Sequence, residues 1–196
     1  MNGSPPACRS RPAIARFVLC FALLLTLDLL SKSISFDRLL ISETGAPPAR
    51  VVIESETVRL IPGLLHLRLT ANQGAVFGIG QGKRWFFVIV SLAATAFLIC
   101  LFLRTRAAEW PTHLLLGGLL AGVIGNMYDR IVIGYVRDML WMLPEWRWEH
   151  LLPFLPAAVG KQEVFPWIFN FADSYLVIGV GIVLAYSVFA PRKGVK

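Results

Sequence analysis

At 196 residues, 56% of them hydrophobic, and with a mean hydropathy of +0.64, the chain is too apolar for a soluble domain and too short for several. It reads as one membrane-embedded domain, residues 1–196. The formal charge of +7 is carried by residues that sit beside apolar segments and form no aromatic-interleaved stripe, which excludes nucleic acid and points to acidic lipid headgroups.

A bilayer core of about 30 Å needs roughly 20 largely apolar residues in helical form, because a lone segment in lipid must satisfy its own backbone hydrogen bonds. Four segments meet that requirement: about Ile14 to Leu30, Trp85 to Leu103, His113 to Tyr128 and Trp167 to Ala190. The first has an Arg-flanked start, so a cleaved signal peptide competes with a retained anchor. No small-x-small site precedes Asp28 and three more spans follow, so the anchor is expected. Cys20 follows Val18-Leu19, whereas a lipoprotein-precursor cleavage site wants a small residue there. Cys8, Cys20 and Cys100 show no CxxC spacing, so neither a zinc site nor a disulfide framework is expected, and they read as packing residues. Asp28 and Lys32 follow at i and i+4, the favourable order for a helical ion pair; the alternative gives Lys32 a charged headgroup or a substrate backbone.

The segment from Ser31 to Arg84 comes next. Glu43 to Arg50, with Pro47 and Pro48, reads as a flexible surface excursion without chemistry. Leu65, Leu67 and Leu69 alternate with His66, Arg68 and Thr70, a period of two that predicts a half-buried strand in a small sheet. The strand leads into Asn72-Gln73-Gly74-Ala75-Val76-Phe77-Gly78, where glycines permit a turn or a close backbone approach. In the third span Gly117, Gly118, Gly122 and Gly125 predict close helix packing. Asn126, Asp129 and Arg130 follow within about one turn, and Asp129 and Arg130 are expected to satisfy each other or to brace a nearby loop. Trp141, Trp146, Trp148 and Trp167 predict a segment resting at headgroup depth, as an anchor or as a lid.

Basic residues in short loops set the direction of insertion. Arg9, Arg11 and Arg16 precede the first span, Arg104 and Arg106 fill the turn between the second and third, and Arg192, Lys193 and Lys196 end the chain. All three clusters fall on one side, so both termini are expected in the cytoplasm and the two longer segments outside.

Asp138 and Asp173 then belong to the outer leaflet, at the edges of apolar segments. An ionised aspartate costs about 2.5 to 3.5 kcal/mol at a helix centre on insertion scales, so such residues mark a functional site by default. Neither has a basic residue at helical spacing, and Arg137, adjacent to Asp138, should point elsewhere in regular structure. Two carboxylates within hydrogen-bonding distance cannot readily both ionise, which would leave one as acid and one as base. Two independent headgroup-level aspartates stay open as the other reading. Paired membrane carboxylates also serve proton-coupled carriers, but no repeat is seen and the acids lie at one face. Ser174 and Ser91 lack a GxSxG context, and His66, His113 and His150 form no evident triad.

These residues resemble a family, the type II or lipoprotein signal peptidases of bacteria. The resemblance is carried in order by Asp28 with Lys32, Asn72-Gln73-Gly74-Ala75-Val76-Phe77, Gly125-Asn126-Met127-Tyr128-Asp129-Arg130, Gly134-Tyr135-Val136-Arg137-Asp138 and Phe169-Asn170-Phe171-Ala172-Asp173-Ser174. It implies a mainly α, integral membrane fold with four transmembrane helices, a small extracytoplasmic β-sheet and an interfacial helix or lid. It further implies an aspartyl endopeptidase that needs no metal or other cofactor and cleaves before the diacylglyceryl-modified cysteine of prolipoproteins, in the bacterial inner membrane. Asp138 and Asp173 match the catalytic dyad. Asn72, Gly74, Asn126, Asp129, Arg130 and Asn170 would support the site or hold substrate, with Asp28 and Lys32 at its edge. The stretches before Asn72 and between Asp138 and Asp173 look longer than the family pattern.

Overall fold

The computed structural model describes residues 3–74 and 82–189. Ala75 to Gly78, Ala190 and the basic residues Arg192, Lys193 and Lys196 lie outside the described residues. Among the described residues, four helices are long and apolar enough to cross a membrane: α1 (Arg11–Leu39), α2 (Arg84–Arg104), α3 (Trp110–Val132) and the last helix (Phe171–Phe189). Between α1 and α2 come strands β1 (Leu40–Thr44), β2 (Val52–Ser55), β3 (Val58–Ile61) and β4 (Leu65–Asn72). Between α3 and the last helix come β5 (Val136–Met142), the single-turn helices α4 (Trp148–Leu151) and α5 (Ala157–Gly160), and β6 (Ile168–Phe169), so the last helix is α6.

Each expected span has shifted limits: α2 is longer by one residue at each end, α3 by three at its start and four at its end, and α1 and α6 differ for reasons the packing shows. α1 continues nine residues past Leu30 because its later turns face protein, not lipid: Lys32, Ser35, Phe36 and Leu39 are all buried. At about 1.5 Å per residue its 29 residues measure about 44 Å, well beyond the hydrocarbon thickness. α6 starts at Phe171 and not at Trp167, because Ile168 and Phe169 pair with Trp141 and Leu140 as a strand.

The chain groups into two compact units. The first comprises residues up to Asp28, Ile89–Met127 and the chain from Phe171. Its core is Ala13 and Phe17 of α1, Leu98 and Phe102 of α2, and Leu116, Leu119, Leu120 and Val123 of α3, with Leu176 of α6 packed against it. The Phe17 and Phe102 rings stack with centroids 4.3 Å apart. Between lipid-facing helices apolar surface supplies no driving force of its own, so close backbone approach must do the work. The glycines of α3 serve it on two sides. A Cβ at Gly117 would meet the Phe17 carbonyl oxygen of α1 at 2.8 Å, and one at Gly122 would meet the Ala172 carbonyl oxygen of α6 at 2.7 Å.

The second unit comprises Leu29–Val88 and Tyr128–Asn170 and holds both sheets. β1 and β2 pair antiparallel, and β3, β4, β5 and β6 form a four-stranded antiparallel sheet in that order. The leucine alternation in β4 sets its burial less simply than the pattern predicts. His66 and Leu69 are the buried residues, Leu65 and Leu67 are half-buried, and Arg68 is exposed. The register explains this: Leu67 faces Leu140 but Thr70 faces Asp138, so β4 carries one extra residue between them. Such a bulge re-aims the side chains that follow it. Around it, His66 packs edge-on against its cross-strand partner Trp141 and the Arg68 guanidinium lies 5.4 Å over the same ring.

The stretch from Glu43 to Arg50 is pinned, contrary to the flexible excursion expected of it. The Gln73 side chain donates to the Ala49 carbonyl at 2.7 Å and accepts the Val51 N–H at 2.9 Å. Pro47 packs where a Cβ on Gly134 would stand, and Gly134 has a φ of +101° that favours glycine.

Replacing Gly122 by leucine should lower stability by about 1 to 3 kcal/mol through overpacking. Gly181→Leu on α6, with open space around it, should be close to neutral. Unfolding of the two variants in detergent micelles by added sodium dodecyl sulfate checks the contrast.

Candidate active site

The second unit gathers most of the polar residues singled out above. Asp138 sits on β5 and is 1% exposed. Burial of a carboxylate is tolerable only where donors replace water. Asn72 of β4 donates through Nδ2 to Oδ2 at 3.1 Å, and Asn170, just past β6, donates through Nδ2 to Oδ1 at 2.6 Å. β4 and the residue that follows β6 therefore each contribute one amide to the same carboxylate. The bulge in β4 is what brings Asn72 into reach, by setting Thr70 opposite Asp138 and Asn72 opposite Val136. Asn72 is itself oriented: its Oδ1 accepts the Gly74 N–H at 3.0 Å, an Asx turn, and Arg130 donates to the Gly74 carbonyl at 2.7 Å. The Arg130 guanidinium also lies 5.2 Å over the Phe87 ring.

Asp129, in the last turn of α3, is fully buried, and the arginine it pairs with here is not its neighbour Arg130. Arg137 reaches back with Nη2 at 2.8 Å and Nε at 3.2 Å from Oδ1, and its backbone N–H donates to Oδ2 at 3.0 Å. Lys32 Nζ lies 3.5 Å from Oδ2 with no exposed side-chain surface. Arg137 Nη1 also donates to the Ser33 hydroxyl at 3.2 Å. One carboxylate thus gathers two cations from α1 and β5, and holds the backbone of the residue that precedes Asp138. Next to it, Tyr135 is 3% exposed; burial first, and then the hydrogen-bonded Glu43 carboxylate, raise its phenol well above the ordinary tyrosine range and keep it neutral.

The first unit holds the rest. Asp173, in the first turn of α6, is half-buried, and Asn126 of α3 donates to its Oδ1 at 2.7 Å. Asp28, fully buried on α1, accepts the Ala172 N–H at 2.9 Å. That N–H is one of those a helix start leaves without an intrahelical acceptor, so α1 caps α6. Gly125 is required here, since any side chain in its place would collide with the Asp28 carboxylate.

Sequence reasoning passed over two of these anchors. Gln73 was visible only as part of a turn motif, and Arg137 only as a residue that should point away from Asp138. Their partners, Ala49 and Asp129, are 24 and 8 residues distant, and no local period relates them. Removing Asp129 tests the cluster directly. Asp129→Asn leaves Lys32 and Arg137 as buried cations without their carboxylate, and should cost about 3 to 5 kcal/mol of stability. Unfolding in micelles would show it, and Asp129→Glu should recover part of the loss.

Three comparisons bear on this arrangement. Residues 20–189 match the sequence profile of the family described as signal peptidase (SPase) II. A lipoprotein signal peptidase of Desulfitobacterium hafniense is 32% identical over 141 residues, 72% of this chain and 80% of the relative. One of Symbiobacterium thermophilum is 36% identical over 146 residues, covering 74% and 84%. A bacterial membrane enzyme solved by the in meso method at 2.3 Å shares the fold, with a TM-score of 0.65 at 24% identity over 93% of this chain and 96% of the other.

Proposed function

Because the chain belongs to the signal peptidase II family, we propose that it removes signal peptides from prolipoproteins by aspartyl chemistry, with Asp138 and Asp173 as the catalytic pair. It is a peptidase and a multi-pass protein of the bacterial inner membrane. The observation that carries the aspartyl reading is the company these acids keep. In a chain with four apolar helices, each is held by asparagine amides: Asp138 by Asn72 and Asn170, Asp173 by Asn126. Amides orient a carboxylate without contributing a charge, so they leave the acid able to take up and release a proton.

In this mechanism the pair shares one proton. The ionised aspartate takes a proton from a water molecule as its oxygen attacks the scissile carbonyl, and the protonated aspartate gives its own proton to the carbonyl oxygen. The tetrahedral intermediate then collapses: the C–N bond breaks, the leaving nitrogen takes the proton held by the first aspartate, and the second aspartate takes back a proton from one of the two hydroxyls as the carbonyl re-forms. The products are a signal peptide ending in a new carboxylate and a protein whose first residue is the cysteine. The substrate is a prolipoprotein cleaved just before its diacylglyceryl-modified cysteine, whose acyl chains lie in the lipid and fix the depth of the scissile bond. With both termini cytoplasmic, as the basic clusters argue, that depth is the outer leaflet.

The other polar residues support the pair. Asn72, Asn126 and Asn170 orient the carboxylates, Arg130 and Gly74 hold Asn72, Asp129 ties down β5 through Arg137 with Lys32 beside it, and Asp28 fixes the start of α6.

Asp138→Asn and Asp173→Asn should each lower kcat on a lipidated precursor by roughly a hundred- to ten-thousand-fold while leaving the unfolding midpoint in place. Asn170→Ala, which removes one donor to a charged acceptor worth about 1.5 to 3 kcal/mol, should cost roughly ten- to a hundredfold. A gel-shift cleavage assay with purified protein, run on precursor with and without its diacylglyceryl group, reads both. Normal cleavage by either aspartate variant would overturn the aspartyl mechanism, and equal cleavage of the unlipidated precursor would overturn the substrate.

A further inference from the structure

Within the second unit, the β1–β2 hairpin and the four-stranded sheet are separate sheets that do not pair. β3 pairs with β4 only from Leu65 to Leu67, which leaves that edge of β4 without a strand from Leu69 onward. Two side-chain ties hold the hairpin against the edge instead. The Ser55 hydroxyl of β2 accepts the Leu69 N–H at 3.0 Å, and the Gln73 amide, just past β4, holds the Ala49 carbonyl and the Val51 N–H on either side of Arg50. Here the chain forms a cleft of about 700 Å³, whose lining includes Arg50, Val52, Ile53, Thr70, Ala71 and Gln73.

β4 links this cleft to Asp138. Thr70 is the cross-strand partner of Asp138, and such partners send their side chains to the same face. Asn72, two residues on, donates to the Asp138 carboxylate. At about 3.3 Å per residue, Gln73 lies about 10 Å along the chain from Thr70, and Arg50 stands beside Gln73. Arg50 gives the cleft a positive charge. It is exposed, and among the described residues no carboxylate pairs with it. The acids of the hairpin are engaged elsewhere, Glu54 by the Ser42 hydroxyl at 2.9 Å and Glu43 by Tyr135. Val52 and Ile53 add apolar wall that suits the aliphatic stem of an acidic side chain.

Of a prolipoprotein, the signal peptide and the acyl chains belong to the lipid, and the chain after the cysteine is the part left outside. We propose that the cleft receives that following chain, and that Arg50 favours an acidic side chain at about the third or fourth residue after the scissile bond, where an extended peptide has covered the same 10 to 13 Å, again at about 3.3 Å per residue. The inference rests on the prolipoprotein reading above and adds to it a preference on the leaving side of the bond.

The test uses the full-length protein in detergent micelles. The substrates are lipidated precursors with aspartate, glutamine or lysine at the third and fourth positions after the cysteine, and one truncated directly after the cysteine. The wild type should cleave the aspartate precursor with a kcat/KM about fivefold above that of the lysine precursor, the difference lying in KM. Arg50→Gln should remove the preference and Arg50→Glu should reverse it, while the truncated precursor, which has nothing to place in the cleft, should not distinguish the three proteins. Val52→Trp, which fills the cleft from β2, should raise KM about fivefold for the long precursors and not for the truncated one. The ties around Arg50 involve its neighbours' backbone and not its side chain, so its variants should unfold at the wild-type midpoint. If Arg50→Glu does not fold, the wild type in rising salt supplies the same reading, since an exposed charge is screened and the preference should decline. Equal cleavage of the aspartate and lysine precursors, a preference that survives Arg50→Gln or high salt, or an unchanged KM in Val52→Trp would overturn the proposal and leave the prolipoprotein reading standing. Failure to cleave any lipidated precursor would overturn that reading and this proposal with it.

Discussion

A buried carboxylate must have its lost water replaced by protein donors, and the second unit is arranged around that demand. Asp129 and Asp138 are both out of solvent, nine residues apart, one on a helix and one on a strand. Each draws donors from different elements: Asp129 from α1 and β5, Asp138 from β4 and the chain after β6. Satisfying two acids thereby ties together α1, α3 and three strands of the sheet.

The two acids are satisfied by different chemistry, and the difference fits the different roles proposed for them. Asp129 has an arginine, a lysine and a backbone N–H, a set that stabilises a permanent negative charge. Asp138 and Asp173 have asparagine amides. A carboxylate neutralised by two cations makes a poor proton carrier, and an amide donor orients a carboxylate without adding charge to it. The adjacency of Arg137 and Asp138 on an extended strand makes this division possible, because consecutive side chains leave a strand on opposite faces.

Charge near the ends of the apolar helices is placed differently. Buried ions recruit partners from neighbouring elements, while Arg9, Arg11, Arg104 and Arg106, at or near the ends of the apolar helices, are exposed. The helix ends that carry them are joined by backbone bonds.

Hydrophobic length and local spacing by themselves determined the four spans, the glycine-lined helix contacts, a strand at Leu65 to Thr70 and the polar residues worth watching. These are legible because each depends on residues close in the chain: a run of apolar side chains, a recurrence of small ones, an alternation of two. Only the tertiary structure decided how far α1 and α6 extend, because partners distant in sequence let α1 continue past Lys32 and turn Ile168 and Phe169 into a strand. It also decided who pairs with whom. Of the two readings for Asp129 and Arg130, mutual pairing or bracing of a nearby segment, the second holds, with Asp129 on Arg137 and Arg130 on the Gly74 carbonyl, and Gln73 pins a stretch that composition marks as loose. The bulge that brings Asn72 to Asp138 leaves no trace in composition or period, since it is a property of two strands in register and not of either one alone.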